Sequence, residues 1–210
     1  MPTVRLRRLI FGLAALLLPA PLLNAALPKH NPAPQSSTLA GQFLIASPAM
    51  GDPRFRRTVI LMVRHNKDGA LGITINRPAG EKTLAHFLEA LGEKDATAPE
   101  GNVRLFAGGP VQPEVGFVVH TDDYRRKETM VVNGRLAVTS SREVLVDIGH
   151  KRGPEKALVA FGYAGWGPGQ LESELARDDW FTAPADPDLV FDEPREKVWD
   201  QAMARRPKDL

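Results

Sequence analysis

The polar residues best suited to ligand binding lie in two segments, 76–77 and 170–174. Asn76 and Arg77 follow a predicted central strand, and a guanidinium beside an amide can hold a carboxylate or phosphate through paired hydrogen bonds. Ligand crevices often form where the strands of a sheet end, so this position favours binding. The structural alternative is that Arg77 pairs with Glu172 or Glu174 and holds the last helices in place.

The second segment follows a glycine-rich run. Residues 162–170 read GYAGWGPGQ and precede a predicted helix, whose N-terminal amides could meet an anion. The spacing matches neither the GxGxxG pattern nor a P-loop, and Pro168 removes one donor, which disfavours a nucleotide-binding loop. The alternative is a tight strand-to-helix turn with Trp166 packed as a lid on the core. Glu172 and Glu174, two apart on a helix, project to different sides and make a poor acid–base pair.

A second glycine motif is the third segment of the predicted site. Gly108 and Gly109 precede Pro110 and allow close backbone approach, which suits either a ligand or a turn after a buried strand. All three segments lie at predicted strand ends or helix starts, where polar groups stay accessible. We expect one ligand- or partner-binding face, with Arg77 central, formed by Asn76, Arg77, Gly108, Gly109, Gln170, Glu172 and Glu174.

Other catalytic chemistries have weak support. The five histidines show no HxxH or HExxH spacing and the chain has no cysteine, so neither a metal site nor a cofactor is predicted. Ser47, Ser140 and Ser141 lack the GxSxG elbow of a serine hydrolase, and Ser140 is interpreted as a helix cap. The absence of cysteine also excludes a disulfide scaffold and a thiol nucleophile.

Composition indicates one globular core in 210 residues, with 43% hydrophobic and 25% charged residues. The net charge is +2, but three of the 27 basic residues lie within residues 1–26, leaving 24 basic against 25 acidic residues. A body near neutrality, without a recognisable helix-turn-helix pair, disfavours direct nucleic-acid binding. A protein or a small molecule is the expected partner.

The N-terminus resembles a leader. Residues 1–26 combine a basic start with the apolar run Leu9 to Leu23, which predicts a signal peptide and export to the periplasm. The alternatives are an uncleaved membrane anchor, or a cytosolic protein whose assigned start codon lies too far upstream. Only this leader is expected to contact a membrane. Residues 27–38 form a proline-rich linker, and residues 39–210 form a single domain.

The elements that must position these residues alternate between strands and short helices. Asn133-Gly134 predicts a hairpin with a type I′ turn, and the capping box 140–143 predicts a helix that stops at Gly149. Strands paired locally and mixed with isolated helices indicate an α+β or irregular α/β domain with a mixed sheet. The expected strands are 43–46, 59–63, 71–75, 103–106, 115–120, 129–132, 135–138 and 157–161; the other helices are 84–91, with Thr83 as its N-cap, 170–176 and 194–204.

Several motifs, in order, resemble the YqgE/AlgH family. The runs GQFLIASP at 41–48, GALG through NRP at 69–78, GGPV at 108–111 and GYAGW through GQLE at 162–172 carry the resemblance, together with Glu174 and Trp180. It implies a bacterial protein whose mixed sheet curls into a pseudo-barrel flanked by helices. One branch of the family carries the name of a transcriptional regulator of alginate production. The resemblance supplies no agreed catalytic residues, and the leader departs from the family's cytosolic pattern.

Two classes of function follow. The favoured one is a non-catalytic regulatory or interaction protein, acting on transcription only indirectly, with a pocket for a small ligand. The alternative is an enzyme of unknown reaction whose polar site is assembled from Asn76, Arg77 and residues 170–174.

Overall fold

The computed structural model describes residues 38–90, 92 and 101–207. The predicted signal peptide and all of the linker except Thr38 lie outside these residues, as does Leu91 at the end of a predicted helix. No helix within the described ranges is long and apolar enough to cross a bilayer.

Ten strands and five helices make up the described part of the chain. Their order is β1 (Gln42–Ala46), β2 (Val59–Asn66), β3 (Gly69–Thr74), β4 (Pro78–Thr83), α1 (Leu84–Ala90), β5 (Asn102–Ala107), β6 (Val111–Thr121), β7 (Thr129–Asn133), β8 (Leu136–Thr139), α2 (Glu143–Gly149), β9 (Ala157–Trp166), α3 (Gln170–Leu175), β10 (Trp180–Pro184), α4 (Pro187–Phe191) and α5 (Val198–Ala204).

The strands form one mixed sheet in the order β10-β1-β2-β3-β9-β6-β8-β7. β5 pairs in parallel with β9 and antiparallel with β4, and the remaining pairs are antiparallel. The sheet curls, because residues of β7 approach β2 although these strands are five positions apart in the sheet order. The predicted mixed sheet, curled into a pseudo-barrel with flanking helices, is confirmed, and its form is a half-barrel.

Strand β2 shows why the sheet has two buried faces. Its first five residues form a continuous apolar run, and all five are buried, as expected for a strand covered on both sides. Val59 and Leu61 join one core cluster, whereas Ile60 and Met62 join another. Alternate side chains of a strand point to opposite faces, so this run anchors both layers of the core.

The β7–β8 hairpin is confirmed, but its predicted turn type is wrong. Asn133 pairs with Leu136, so Gly134 and Arg135 connect the strands, and the φ angle of Gly134 is not positive. Instead, the Asn133 Oδ1 accepts hydrogen bonds from the amides of Arg135 at 3.0 Å and Leu136 at 2.9 Å. These side-chain hydrogen bonds from Asn133 stabilise the turn without the positive φ angles that a type I′ turn requires.

Helix capping follows the prediction at α1 and departs from it at α2. Thr83 accepts the amide of His86 at 3.3 Å, as expected of an N-cap. At α2 the hydroxyl of Ser141, not that of Ser140, accepts the amide of Glu143 at 3.2 Å and donates to its carboxylate. Gly149 is the last residue of α2, as expected from a glycine stop.

Three elements escape sequence reasoning: β4, β10 and α4. The terminal helix also begins at Val198 rather than Pro194. Most importantly, residues 162–166 are not a loop, because they continue β9 to Trp166. Only residues 167–169 form the turn before α3, so β9 extends five residues beyond the predicted strand 157–161. Residues 164–166 pair with β3 and Tyr163 pairs with β6, so tertiary pairing holds in the sheet a glycine-rich segment that has low strand propensity.

Candidate functional site

Asn76 clamps the loop before β2 to the start of that strand. Its Oδ1 accepts the amide of Val59 at 2.9 Å, and its Nδ2 donates to the carbonyl of Arg57 at 2.9 Å. Both functional groups of the amide therefore hold the backbone.

Arg77 binds the same loop and not α3. Its Nε and Nη2 donate to the hydroxyl of Thr58 at 3.3 and 3.0 Å, and Nη2 also donates to the carbonyl of Arg56. Neither Glu172 nor Glu174 forms an ion pair with Arg77 in the part of the chain that the structure describes. The alternative in which Arg77 pairs with an acid of α3 is wrong, because the half-buried guanidinium donates instead to Thr58 and to the carbonyl of Arg56 in the loop.

Gly108 and Gly109 permit close backbone contact with β9. A Cβ on Gly108 would lie 2.3 Å from the carbonyl oxygen of Gly162, and one on Gly109 would lie 2.1 Å from the carbonyl carbon of Tyr163. The Gly108 amide donates to the carbonyl of Phe161 at 2.7 Å. These glycines therefore hold two backbone segments together more closely than any side chain would allow.

Backbone hydrogen bonds bring residues 76–77 next to residues 108–109. The amide of Ala107 donates to the carbonyl of Arg77 at 2.9 Å, and the amide of Thr74 donates to the carbonyl of Gly108 at 2.8 Å. Two of the three predicted segments thus meet at the end of β3.

The remaining predicted segment, residues 170–174, forms a compact polar cluster with two tryptophans. This cluster is called here the tryptophan centre (Trp166, Gln170, Glu174 and Trp180). The Oε2 of Glu174 accepts the indole N–H groups of Trp166 and Trp180, both at 2.8 Å. Its Oε1 accepts from the Gln170 Nε2 at 2.9 Å, while the Gln170 Oε1 accepts the amide of Gly167 at 3.1 Å. The indole rings meet edge to face with centroids 6.1 Å apart. The end of β9, α3 and the start of β10 are thereby fixed together.

A cavity of about 490 Å³ adjoins the tryptophan centre and is called here the glutamate cavity. The lining also includes Pro110, Val111, the end of β9, and residues 50–52, 54 and 55. Two ion pairs also line it, Arg54 with Asp52 at 2.6 Å and Arg177 with Asp179 at 2.9 Å. Glu174 hydrogen-bonds only neutral groups within the described residues, so the lining carries one net negative charge.

Glu172 lies apart from this cavity. Its Oε1 lies 3.0 Å from the Nε2 of His65, whose Nδ1 accepts the amide of Leu39 at 3.1 Å. Since Nδ1 accepts, the neutral ring carries its proton on Nε2 and donates to Glu172. Hydrogen bonds from its own backbone amide and from His65 lower the pKa of Glu172. The different directions of Glu172 and Glu174 agree with the prediction.

The predicted site thus divides into parts. Gln170 and Glu174 line the glutamate cavity beside Pro110 and Val111, which directly follow the glycine pair, whereas Asn76, Arg77 and Glu172 do not line it. Whether any of these residues binds a ligand stays a prediction. Sequence reasoning missed the contributions of Arg54, Phe55 and Arg177, which carry no motif. Trp180 stood out only through the family resemblance.

A second polar cluster is the histidine network (His120, Tyr124, Arg126, Thr139 and Asp147). The Nδ1 of the buried His120 lies 2.7 Å from the carbonyl of Thr121, to which it must donate, so its Nε2 accepts the Thr139 hydroxyl at 2.9 Å. Tyr124 packs edge-on against His120 and donates to Asp147 at 2.6 Å. The residues that the structure describes contain no cluster of three histidine or acidic side chains able to hold a metal.

Comparison with known proteins identifies the relatives of this chain. The family described as AlgH-like matches residues 43–210. A UPF0301 protein of Methylococcus capsulatus is 44% identical over 164 residues, covering 78% of this chain and 89% of the relative. A UPF0301 protein of Jannaschia sp. is 45% identical over 168 residues, covering 79% of this chain and 86% of the relative.

Two solved structures share the fold. The solution structure of the AlgH protein from Pseudomonas aeruginosa is 44% identical, with a TM-score of 0.69 and coverage of 81% of this chain and 89% of that chain. A crystal structure of a Corynebacterium diphtheriae protein is 27% identical, with a TM-score of 0.61 and coverage of 80% and 86%.

Proposed function

Since this chain belongs to the AlgH-like family, we propose that it is a non-catalytic regulatory protein that binds a small molecule in the glutamate cavity. The observation that carries the proposal is the fixed carboxylate at this cavity. Glu174 is held by three neutral donors, from Trp166, Trp180 and Gln170, and forms no ion pair within the described residues beside an open volume of about 490 Å³. This volume lies within the range of about 300–1,000 Å³ common for small-molecule sites.

Engaged side chains support binding over catalysis. A general base must reach the proton that it removes. Asn76 and Arg77 hold a loop, Glu172 bonds His65, and both oxygens of Glu174 already accept hydrogen bonds. The polar residues proposed for an enzyme therefore have structural partners.

The charge of the lining suggests the ligand's chemistry. The pairs formed by Arg54 and Arg177 are internally neutral, so the charge of Glu174 dominates. A ligand with a cationic group or several hydrogen-bond donors complements this surface. We propose that its binding regulates a protein partner, with any effect on transcription exerted through that partner.

A thermal-shift screen of metabolites on the full chain tests this proposal. A ligand at 100 times its Kd should stabilise the native state by about 2.7 kcal/mol. Val111→Phe places a ring in the cavity and should abolish the response, whereas Glu172→Gln, on α3 but outside the cavity, should retain it.

Two results would contradict the proposal. A ligand that stabilises Val111→Phe as well as the wild type binds elsewhere. Conversion of a bound compound to a product, detected by mass spectrometry and lost in Val111→Phe, would identify an enzyme instead.

A further inference from the structure

A separate cavity of about 340 Å³ lies among β5, β9, α2 and α4, and is called here the arginine cavity. Much of its lining is apolar and includes Leu145 and Ile148 of α2, Val159 of β9 and Phe191 of α4. It shares no lining residue with the glutamate cavity. It is therefore a second place where this molecule could enclose an apolar group.

Arg195 provides a fixed cation at this cavity. Its Nη1 donates to the carbonyls of Val190 at 2.7 Å and Ile75 at 3.4 Å, and its Nη2 donates to the carbonyl of Glu193. A guanidinium has five N–H groups. The N–H on Nε and one on Nη2 consequently have no acceptor within the described residues, although the side chain is half-buried.

Arg104 on β5 brings a second cation to the same cavity. It is exposed and forms no ion pair in the described part of the chain. Burial lowers the pKa of Arg195, and the like charge of Arg104 lowers it further. Glu155 is the acid in the lining, which leaves one net positive charge.

Three acidic residues near Arg195 oppose the lowering of its pKa but do not reverse it. Asp192, Glu193 and Glu196 act to raise the pKa of Arg195, yet the net shift is downward. Asp192 also pairs with Lys156 at 2.6 Å. An anion entering the cavity would relieve the repulsion between the two guanidinium groups.

We propose that the arginine cavity binds a single-chain amphipathic carboxylate. The carboxylate head lies between Arg104 and Arg195, where guanidinium groups offer charge-assisted hydrogen bonds. The apolar tail packs against the side chains of α2 and α4. The cavity is near the lower end of the range for small-molecule sites, about 300–1,000 Å³, which favours a short or medium chain.

Isothermal titration calorimetry of the full chain with octanoate, below its micellar concentration, tests the proposal. Saturable binding is expected, with octanol and octylamine binding at least about tenfold more weakly because neither supplies the negative charge. Arg104→Gln should weaken octanoate binding about tenfold, since it removes one charged partner of the head group. The matched control is Arg64→Gln, an exposed arginine of β2 outside this cavity, which should bind like the wild type.

A second pair of variants locates the tail. Ala157→Phe, at an exposed position in the lining, should abolish octanoate binding while a thermal melt shows that the protein remains folded. Val111→Phe, which fills the glutamate cavity, should leave octanoate binding unchanged. Failure at one cavity is thus distinguishable from failure at the other.

Four outcomes would overturn the proposal: no saturable binding of octanoate, equal binding of octanol, wild-type affinity in Arg104→Gln, or wild-type affinity in folded Ala157→Phe. A vesicle arm separates a soluble amphiphile from a membrane. If Arg104 is needed only for binding to phosphatidylglycerol vesicles, and monomeric octanoate does not bind, the occupant is a lipid surface and the assignment fails.

Discussion

The tryptophan centre and the histidine network are both organised around a carboxylate, but they satisfy it differently. Glu174 accepts hydrogen bonds from two indoles and one amide, all neutral. Asp147 accepts from the Tyr124 hydroxyl at 2.6 Å and from the Arg126 guanidinium, whose Nε lies at 3.0 Å. The guanidinium of Arg126 therefore neutralises the charge of Asp147. The neutral donors around Glu174 orient its carboxylate but do not neutralise its charge.

This difference separates a structural network from a candidate binding site. Burial acts to raise the pKa of Asp147, but hydrogen bonds from Tyr124 and Arg126 outweigh it, and the pKa is lowered. Asp147 is thus an ion that its own neighbours stabilise. Glu174 lies beside a cavity and has neutral partners, so an additional cationic group can still gain energy from its charge.

Glu174→Ala should have the largest effect on stability. The substitution leaves the indole N–H groups of Trp166 and Trp180 without an acceptor, and a buried unsatisfied donor costs about 1–3 kcal/mol, so we expect a loss of about 2–4 kcal/mol. Urea unfolding followed by tryptophan fluorescence measures it.

Glu174→Gln is the matched control for that experiment. Its single carbonyl oxygen can still accept both indole donors, but its amide nitrogen cannot accept from Gln170, so part of the lost stability should return. A Glu174→Ala protein with the wild-type unfolding midpoint would mean that the tryptophan centre contributes no stability.

Asp147→Asn should cost less, about 1–2 kcal/mol, because asparagine still accepts from Tyr124 and the lost ion pairs are partly solvated. The side chains of Arg126 and Arg152, which both contact Asp147, are 43% and 64% exposed. The difference from the wild type should shrink at 1 M salt, as urea unfolding at two ionic strengths can show. A cost above that of Glu174→Ala would reverse the comparison.

The histidine network should also make stability depend on pH, over a limited range. Burial lowers the pKa of His120, so the unfolded chain binds a proton at a higher pH than the folded protein does. Stability is therefore complete above the unfolded pKa, about 6.5, and falls as the pH drops below it.

Denaturant unfolding at pH 7.5 and pH 5.5 checks this prediction. The loss of stability at the lower pH should be smaller in His120→Gln than in the wild type. His86→Gln, at an exposed position of α1, is the control and should keep the wild-type dependence. An identical pH dependence in His120→Gln and the wild type would contradict the assignment.

Gly134 lies outside the tryptophan centre and the histidine network. Gly134→Val should have the smallest effect, leaving the free energy of unfolding within about 0.5 kcal/mol of the wild type. A type I′ turn would make this change costly, but the φ angle of Gly134 is not positive and a Cβ there would have no neighbour within 4 Å. Urea unfolding measures this change. A loss of unfolding free energy greater than about 0.5 kcal/mol would show that the Asn133 side chain does not set the turn.

Local patterns were sufficient for elements whose signals lie within a few residues. The apolar run of β2 predicted a strand buried on both faces, Thr83 predicted the start of α1, and Asn133-Gly134 located a hairpin. The motifs also identified the family, because they occur in order across the chain. Periodicity, capping and turn formation are properties of short segments, so the sequence by itself determined them.

Tertiary structure decided what depends on distant segments. Residues 163–166 belong to a strand because β6 pairs with Tyr163 and β3 with residues 164–166. Arg77 reaches the carbonyl of Arg56 because the pairing of β2 with β3 places the end of β3 beside the start of β2. β4, which has no apolar alternation, is a strand because β5 supplies its hydrogen bonds. Glu174 gained its role from the two indole donors that β9 and β10 direct towards α3. Backbone pairing and hydrogen-bond partners form between segments, and no local pattern specifies which segments will meet.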